Sequence, residues 1–92
     1  MYALAIHPSA QREWAKLDDG IRKRFKTKLI KERLLKPRVK KDALSGVADL
    51  YKIKITTPQY RLAYHVNDTE RVVTILAVTT RDEVYDLLQS RL

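Results

Sequence analysis

The segment LYKIKITTPQYRLAYHV, residues 50–66, alternates apolar and polar side chains on both sides of the short stretch TTPQ. A period of two residues is typical of strands that bury one face, because successive side chains point to opposite sides of a sheet. The pattern predicts a β-hairpin that turns at residues 56–59. The two strands share one core only if Ile53 lies opposite Leu62, since a slip by one residue would turn one strand's cations into the core.

The polar side of this hairpin is cationic. The same register pairs Tyr51 with Tyr64 on the apolar side, and it sets Lys54 opposite Arg61, with Lys52 beside them. Like charges directly opposite each other destabilise a sheet. A chain that keeps them there is expected to use the positive charge to bind an anion.

The chain as a whole is also basic. Its 92 residues include 19 Lys and Arg against 11 Asp and Glu, a formal charge of +8 at pH 7. This balance favours a nucleic acid or an acidic protein as partner, although a solvated charged surface explains many of the helical cations equally well.

The length predicts a single domain over residues 1–92. The absence of cysteine excludes a disulfide framework and a thiolate metal site, and without a signal peptide or a long apolar run the expected location is the cytoplasm.

The remaining segments predict an α+β chain with the element order β-α-α-β-β-β-α. Ser9 is expected to cap the first helix, and the two helices before the hairpin are expected to form an αα-hairpin. Arg91 is expected on the exposed side of the last helix. The predicted elements are a strand at 2–6, helices at about 10–17 and 20–34, a central strand at 71–80 and a short closing helix from 84 onwards.

Several kinds of site lack a motif here. The chain has no Gly-rich phosphate loop, no HExxH, no zinc-type spacing and no Ser-centred elbow. Of the two histidines, His7 precedes a proline and is expected at a helix entry. His65 shares its side of the strand with Arg61, so we interpret it first as a strand residue at the rim of the cationic side and second as a proton-transfer candidate.

Five side chains are expected on or just beyond the cationic side of the sheet: Lys52, Lys54, Arg61, Arg81 and Tyr85. When a neighbouring 2′-hydroxyl cleaves RNA, negative charge builds up on a pentavalent phosphorus, and preorganised cations stabilise that charge more than the ground state. Each residue also has a structural explanation: a solvated strand for the lysines, ion pairs for the arginines and a packing anchor for Tyr85. The residues alone leave open which group takes the proton.

In four segments the chain resembles the RelE-like toxins of the RelE/ParE superfamily. Together, the motifs YKIK, YRL.Y and R.EVY are specific for this resemblance. The segments are HPSAQREWAKLD at 7–18, LSGVADLYKIKI at 44–55, QYRLAYHV at 59–66 and RDEVY at 81–85.

The resemblance implies a fold and an activity. The implied fold is a small twisted antiparallel sheet of about four strands, with the αα-hairpin packed on one face and a short C-terminal helix. The implied activity is that of a toxin, paired with a cognate antitoxin, that enters the ribosomal A site and cuts the mRNA there as a metal-independent endoribonuclease without a cofactor. No membrane association is implied.

The resemblance also implies a role for each candidate site residue. Lys52 and Lys54 would bind and activate around the scissile phosphate, and Arg61 would stabilise the transition state. Arg81 would serve the leaving group, and Tyr85 would orient or stack the nucleotide. One position departs from the family pattern, because Thr80 stands where many members carry Lys or His.

Two other functions also fit the sequence. A ParE-like toxin that inhibits DNA gyrase would share the scaffold without needing this set of residues. A non-catalytic basic module that binds RNA, the ribosome or an acidic partner would need only the net charge. If the chain is a toxin, an acidic or amphipathic antitoxin segment is expected to cover the cationic side or to displace the last helix.

Overall fold

The computed structural model describes residues 1–80 and 84–91. It confirms the α+β class and the predicted order of elements. The four strands form one sheet in the order β1-β4-β3-β2, so β4 is central, as expected. The elements are β1 at Ala3–Ile6, α1 at Pro8–Ala15, α2 at Asp19–Lys28, β2 at Leu50–Thr56, β3 at Gln59–Asn67, β4 at Val72–Thr79 and α3 at Val84–Gln89.

The β2–β3 hairpin has the register predicted from its alternation. Ile53 pairs with Leu62, Lys54 pairs with Arg61, and the strands join through a turn between Thr56 and Gln59. Ile53 and Leu62 are buried. The apolar sides of both strands therefore determine how the two strands align.

Strand β1 differs from the antiparallel arrangement, because it runs parallel to β4, from Ala3 opposite Val72 to Ile6 opposite Ile75. A parallel pair needs a long crossover instead of a tight turn. The chain between these strands contains α1, α2 and the whole β2–β3 hairpin, which provide that crossover. The other two strand pairings are antiparallel, as expected.

Helices α1 and α2 cover one face of the sheet, which we call the helix-covered face. The predicted stripe of α2, Ile21, Phe25 and Leu29, is buried there. It packs on Leu62 and Val73 of the sheet within one apolar cluster. The αα-hairpin predicted from the sequence is confirmed.

The expected cap of α1 is wrong, because His7 and not Ser9 is the N-cap. The Nδ1 atom of His7 accepts a hydrogen bond from the backbone N–H of Ser9 at 3.1 Å. Pro8 is the first helical residue, a position that suits proline because the N–H it lacks would have no partner inside the helix. The cap therefore falls on the residue before the proline, and the interpretation of His7 as a helix-entry residue is confirmed.

The second helix ends in a wider turn. After Lys28 the chain continues as a π-helical turn at Leu29–Arg33, closed by a hydrogen bond of 2.8 Å from the Leu34 N–H to the Leu29 carbonyl oxygen. A turn with i to i+5 bonding holds one more residue than an α-helical turn. As a result, two successive side chains, Arg33 and Leu34, are both buried.

The last helix lies on the other face of the sheet. Val84 and Leu88 of α3 pack with Leu50, Ala63 and Leu76 in a second apolar cluster. A β-bulge shifts the register of β3 and β4 beside this cluster.

The expected exposure of Arg91 is wrong. Only 11% of its side chain is exposed, because its guanidinium forms an ion pair with Glu13 of α1 at 2.8 Å. It also donates a hydrogen bond to the Leu76 carbonyl oxygen at 2.9 Å. Arg91 therefore ties the end of α3 to β4 and to α1.

Within the described part of the chain, no helix combines the length and apolar character needed to cross a membrane.

Candidate active site

Two strands, β2 and β3, bring the described cations together on the face that carries α3. Lys54 of β2 pairs with Arg61 of β3, and Arg61 pairs with Thr79 of β4, so these residues form one row across the sheet. Lys52 begins the next row, opposite Ala63. We call the surface formed by Lys52, Lys54 and Arg61 the cationic face.

The backbone of β2 shows how closely the two central cations are held. The Leu50 carbonyl accepts a hydrogen bond from the Leu44 N–H at 2.9 Å, and the Lys52 carbonyl accepts one from Arg33 at 3.0 Å. Even-numbered residues of β2 therefore turn their backbone groups to the free edge and not to β3. Lys54 and Arg61 are then a non-hydrogen-bonded pair, the type in which Cα atoms lie only about 4.5 Å apart.

The cationic face is open to solvent and bordered by α3. Lys54 is exposed, while Lys52 and Arg61 are half-buried. Ala63, which separates Lys52 from β4, is fully buried in the cluster that anchors α3. The cations therefore lie at the border between an open surface and a covered one, where an anion is both accessible and partly desolvated.

Tyr85 lies on the helix that borders this face. Its neighbour Val84 and Leu88 make the buried contacts of α3, whereas 40% of Tyr85 is exposed. The packing of the helix thus depends on other residues, which leaves the Tyr85 ring available to a ligand. Arg81 lies outside the described residues.

His65 occupies the same side of β3 as Arg61, one row beyond Ala63. It pairs with Leu50 and with Thr74 and is half-buried. This placement agrees with a strand residue at the rim of the cationic face. A role in proton transfer stays a prediction.

Sequence reasoning missed one charged residue beneath the sheet. Arg33 is 3% exposed. Its guanidinium donates to the Asp42 carboxylate at 2.7 Å, to the Tyr64 hydroxyl at 2.9 Å and to the Lys52 carbonyl at 3.0 Å. The run of charged residues around it suggests a solvent-facing turn. A signal was present, however, because Arg33 continues the four-residue spacing of the buried stripe that ends at Leu29.

Tyr64 completes the network around this arginine. Its hydroxyl donates to the Pro37 carbonyl at 2.6 Å, and its ring stacks on Tyr51 with centroids 5.8 Å apart. Burial raises the pKa of Tyr64, which outweighs the opposing effect of Arg33. The hydroxyl therefore remains a protonated donor that fixes the loop after the second helix.

A second ion pair, which is half-buried, fixes the far side of the sheet. Glu13 accepts hydrogen bonds from the Val78 N–H at 2.9 Å and from Arg91 at 2.8 Å. Burial by itself would raise the pKa of Glu13, but these hydrogen bonds lower it below its ordinary value. The carboxylate is therefore ionised and holds α1, β4 and the end of α3 together.

No group of three or more His, Asp or Glu side chains in residues 1–80 and 84–91 is arranged to hold a metal ion. The cations of the cationic face attract anions and repel metal ions.

The fold and the site agree with the comparisons. The chain belongs to the family described as the ParE toxin of type II toxin-antitoxin system, parDE, which it matches over residues 4–85. It is 41% identical over 86 residues to the mRNA interferase toxin RelE of Escherichia coli (strain K12), covering 91% of this chain and 90% of that protein. The resemblance to RelE-like toxins is thus confirmed.

Two solved structures have the same fold. The intact E. coli RelBE toxin-antitoxin complex contains a chain that is 38% identical, with a TM-score of 0.85, covering 89% of this chain and 99% of that chain. The isolated E. coli RelE toxin is 39% identical, with a TM-score of 0.83, covering 99% and 98%. These structures confirm the α+β fold.

Proposed function

We propose that this protein is the toxin of a type II toxin-antitoxin system and that it acts as an mRNA interferase, cutting translated mRNA in the ribosomal A site. The observation that carries the proposal is the row formed by Lys54 and Arg61, with Lys52 beside it, on an open sheet face. The names of the similar E. coli and Shigella flexneri proteins, both mRNA interferases, support it. The whole chain acts as one domain, in the cytoplasm, where translated mRNA is found.

The proposed reaction is an internal transfer at phosphorus. The 2′-oxygen of one nucleotide forms a bond to the adjacent phosphorus, and the bond from that phosphorus to the 5′-oxygen of the next nucleotide breaks. The 2′-hydroxyl loses a proton to a base and the leaving 5′-oxygen gains one, so the products are a 2′,3′-cyclic phosphate and a 5′-hydroxyl. No metal ion is required, because the side-chain cations stabilise the charge on the phosphoryl oxygens.

The side chains divide this work by their chemistry. Lys52 and Lys54 act as point charges that bind the scissile phosphate and activate the groups around it. Arg61 binds the phosphoryl oxygens of the transition state through its planar guanidinium. Arg81 serves the leaving group. Tyr85 stacks on or orients the nucleotide, and its exposed ring on α3 supports this role.

Primer extension on translated mRNA tests the proposal. Wild-type protein should produce cuts at codon positions, and Arg61→Ala and Arg81→Ala should each lower the cleavage rate by about 10²-fold or more. Arg12→Ala is the control, because it removes the same charge from α1, which lies on the helix-covered face. Tight ribosome binding without any cuts by the wild type would favour the non-catalytic module instead.

Gyrase inhibition is the second candidate function, because the matched family is described by the ParE toxin. A supercoiling assay with DNA gyrase separates the two candidates. We expect no inhibition at saturating protein, since the cationic face matches a ribonucleotide site. Inhibition that persists in Arg61→Ala would favour the gyrase inhibitor.

We also propose a cognate antitoxin as a stable partner in a hetero-oligomer. Solved complexes of similar chains support this, among them one from E. coli with an antitoxin RelBc peptide. An acidic or amphipathic segment would cover the cationic face or displace α3. Co-purification with the product of the adjacent gene should yield a complex that loses cleavage activity, and a failure to form it would contradict the proposal.

A further inference from the structure

We propose that Arg33 is a positioning residue that holds the edge of β2 at Lys52 and thereby fixes the cationic face. The inference rests on the proposed function. Arg33 does not reach the substrate side of the sheet, because its side chain is buried with the helix-covered core. It acts on the site through the backbone of the strand that carries two of the three described cations.

The need for such a contact follows from the position of β2. It is an edge strand, with β3 on one side and no strand on the other. Its even-numbered residues include the two lysines of the site, and the carbonyls of these residues point to the free edge. Leu44 holds the carbonyl of Leu50, and Arg33 holds the carbonyl of Lys52 at 3.0 Å. The contact therefore falls on the backbone of a site residue.

The three acceptors of Arg33 come from three separate segments. They are the carbonyl of Lys52 in β2, the hydroxyl of Tyr64 in β3, and the carboxylate of Asp42 in a 3₁₀ turn at Lys40–Asp42. A guanidinium has five N–H donors in a rigid plane and can serve all three at once, whereas an ammonium group is a compact point charge. The arginine thus joins the hairpin to the preceding loop in one geometry.

The wide turn of the second helix brings Arg33 to this place. The π-helical turn at Leu29–Arg33 buries both Arg33 and Leu34, so the arginine enters the core without displacing the next leucine. Single π-helical turns within helices are frequent at functional sites. Arg24 of α2 adds a contact further along the hairpin, donating to the Thr57 carbonyl at 2.8 Å. The two arginines therefore hold the backbone of the hairpin before and after Lys54, one at Lys52 in β2 and one at Thr57 in the turn.

Stability alone gives little reason for an arginine here. Replacing both members of a buried ion pair by uncharged groups of similar volume is often neutral or stabilising. A methionine at residue 33 would fill the same space, but it would leave the Lys52 carbonyl without its donor. The hydrogen bond to that carbonyl is what the arginine adds.

The experiment compares two double variants that each remove one positive and one negative charge. Arg33→Met with Asp42→Asn removes the contact to Lys52. Arg22→Met with Asp19→Asn removes an ion pair within α2 and the hydrogen bond from Arg22 to the Ala15 carbonyl of α1. Cleavage is measured in single turnover at varied concentrations of programmed ribosomes. We expect the first double variant to cleave about 10- to 100-fold more slowly at saturation, as for a small misplacement of catalytic groups, with an unchanged half-saturation concentration. The second should cleave at the wild-type rate.

The outcomes separate positioning from folding. If Arg33 only stabilises the fold, the first double variant will melt at a lower temperature but will cleave at the wild-type rate per folded molecule, which overturns the proposal. If that variant does not fold, Arg33→Lys is measured in the same way, and a wild-type rate again overturns it. Wild-type protein that makes no cuts contradicts the proposed function itself, and that result is seen without any variant.

Discussion

On the side of the sheet that faces α1 and α2, Phe25 and Leu29 are fully buried against β3 and β4, whereas on the other side Lys54 and Arg61 lie directly opposite each other. The same strands form both faces. The helix-covered face buries apolar side chains, whereas the cationic face holds like charges that repel each other. The helix-covered face therefore stabilises the fold, while the cationic face carries the proposed site.

Magnitudes show that one face can compensate for the other. Burying a single Phe or Leu side chain contributes roughly 1.5–3 kcal/mol, while a like-charged pair on neighbouring strands costs about 0.2–1 kcal/mol. One residue such as Phe25 therefore offsets the repulsion of the pair. A cationic face is sustainable because the opposite face holds the sheet together.

The largest expected effect comes from breaking the helix-covered face. Phe25→Ala should lower the free energy of unfolding by about 3–5 kcal/mol, because it removes a fully buried ring and leaves a cavity. Urea denaturation measures this change. Tyr85→Ala on the other face is the control, and its loss should be about 0.5 kcal/mol, as for surface positions. Equal losses in the two variants would contradict the division between the faces.

A smaller effect is expected at the ion pair that joins the two faces. Glu13→Gln leaves the largely buried guanidinium of Arg91 without its counter-charge, so stability at pH 7 should fall by about 1.5–3 kcal/mol. Glu32→Gln is the control, because Glu32 pairs with Lys28 at the surface at 3.4 Å and such pairs contribute little.

The same pair gives a dependence on pH. The pKa of Glu13 is lower in the folded protein than its ordinary value, so its stabilising effect is present above that ordinary value and is lost as the pH falls through the folded pKa. Wild-type protein should therefore lose stability more steeply than Glu13→Gln below about pH 5. The pKa of Asp68 is also lowered, but both proteins share that group. Parallel pH profiles would show that the pair does not form.

The smallest expected effect on stability has the opposite sign and lies on the cationic face. Lys54→Gln removes one of two facing cations, so the protein should gain roughly 0.2–0.5 kcal/mol at low salt. Cleavage of translated mRNA should nevertheless fall by about 10²-fold. Thermal unfolding and primer extension measure the two changes. A variant that loses both stability and activity would show that the pair is not repulsive.

The sequence was sufficient to predict the features of the fold that depend on local periodicity. The alternation along residues 50–66 determined the register that sets Lys54 opposite Arg61, and the four-residue stripe of α2 determined its buried side. Three of the five candidate site residues follow from that one register. The role of each residue in the reaction stays a prediction.

The parts that were missed depend on residues distant in the chain. Arg33 lies in a charged run, and its burial depends on Asp42, Tyr64 and the carbonyl of Lys52, which only the folded chain brings to it. Arg91 was expected at the surface for the same reason, because Glu13 lies 78 residues away in sequence. Periodicity reports which side of an element is apolar, but it does not report a buried charge that pairs across the fold.

The parallel pairing of the first and last strands has a consequence for folding during synthesis. Ala3 pairs with Val72, and Arg61 pairs with Thr79. Strands β1 and β3 can therefore pair with β4 only after β4 has been synthesised. Contacts between such distant residues are slow to form. Under the proposed function, a nascent chain therefore cannot complete the sheet that carries the proposed site before residue 79 has left the ribosome.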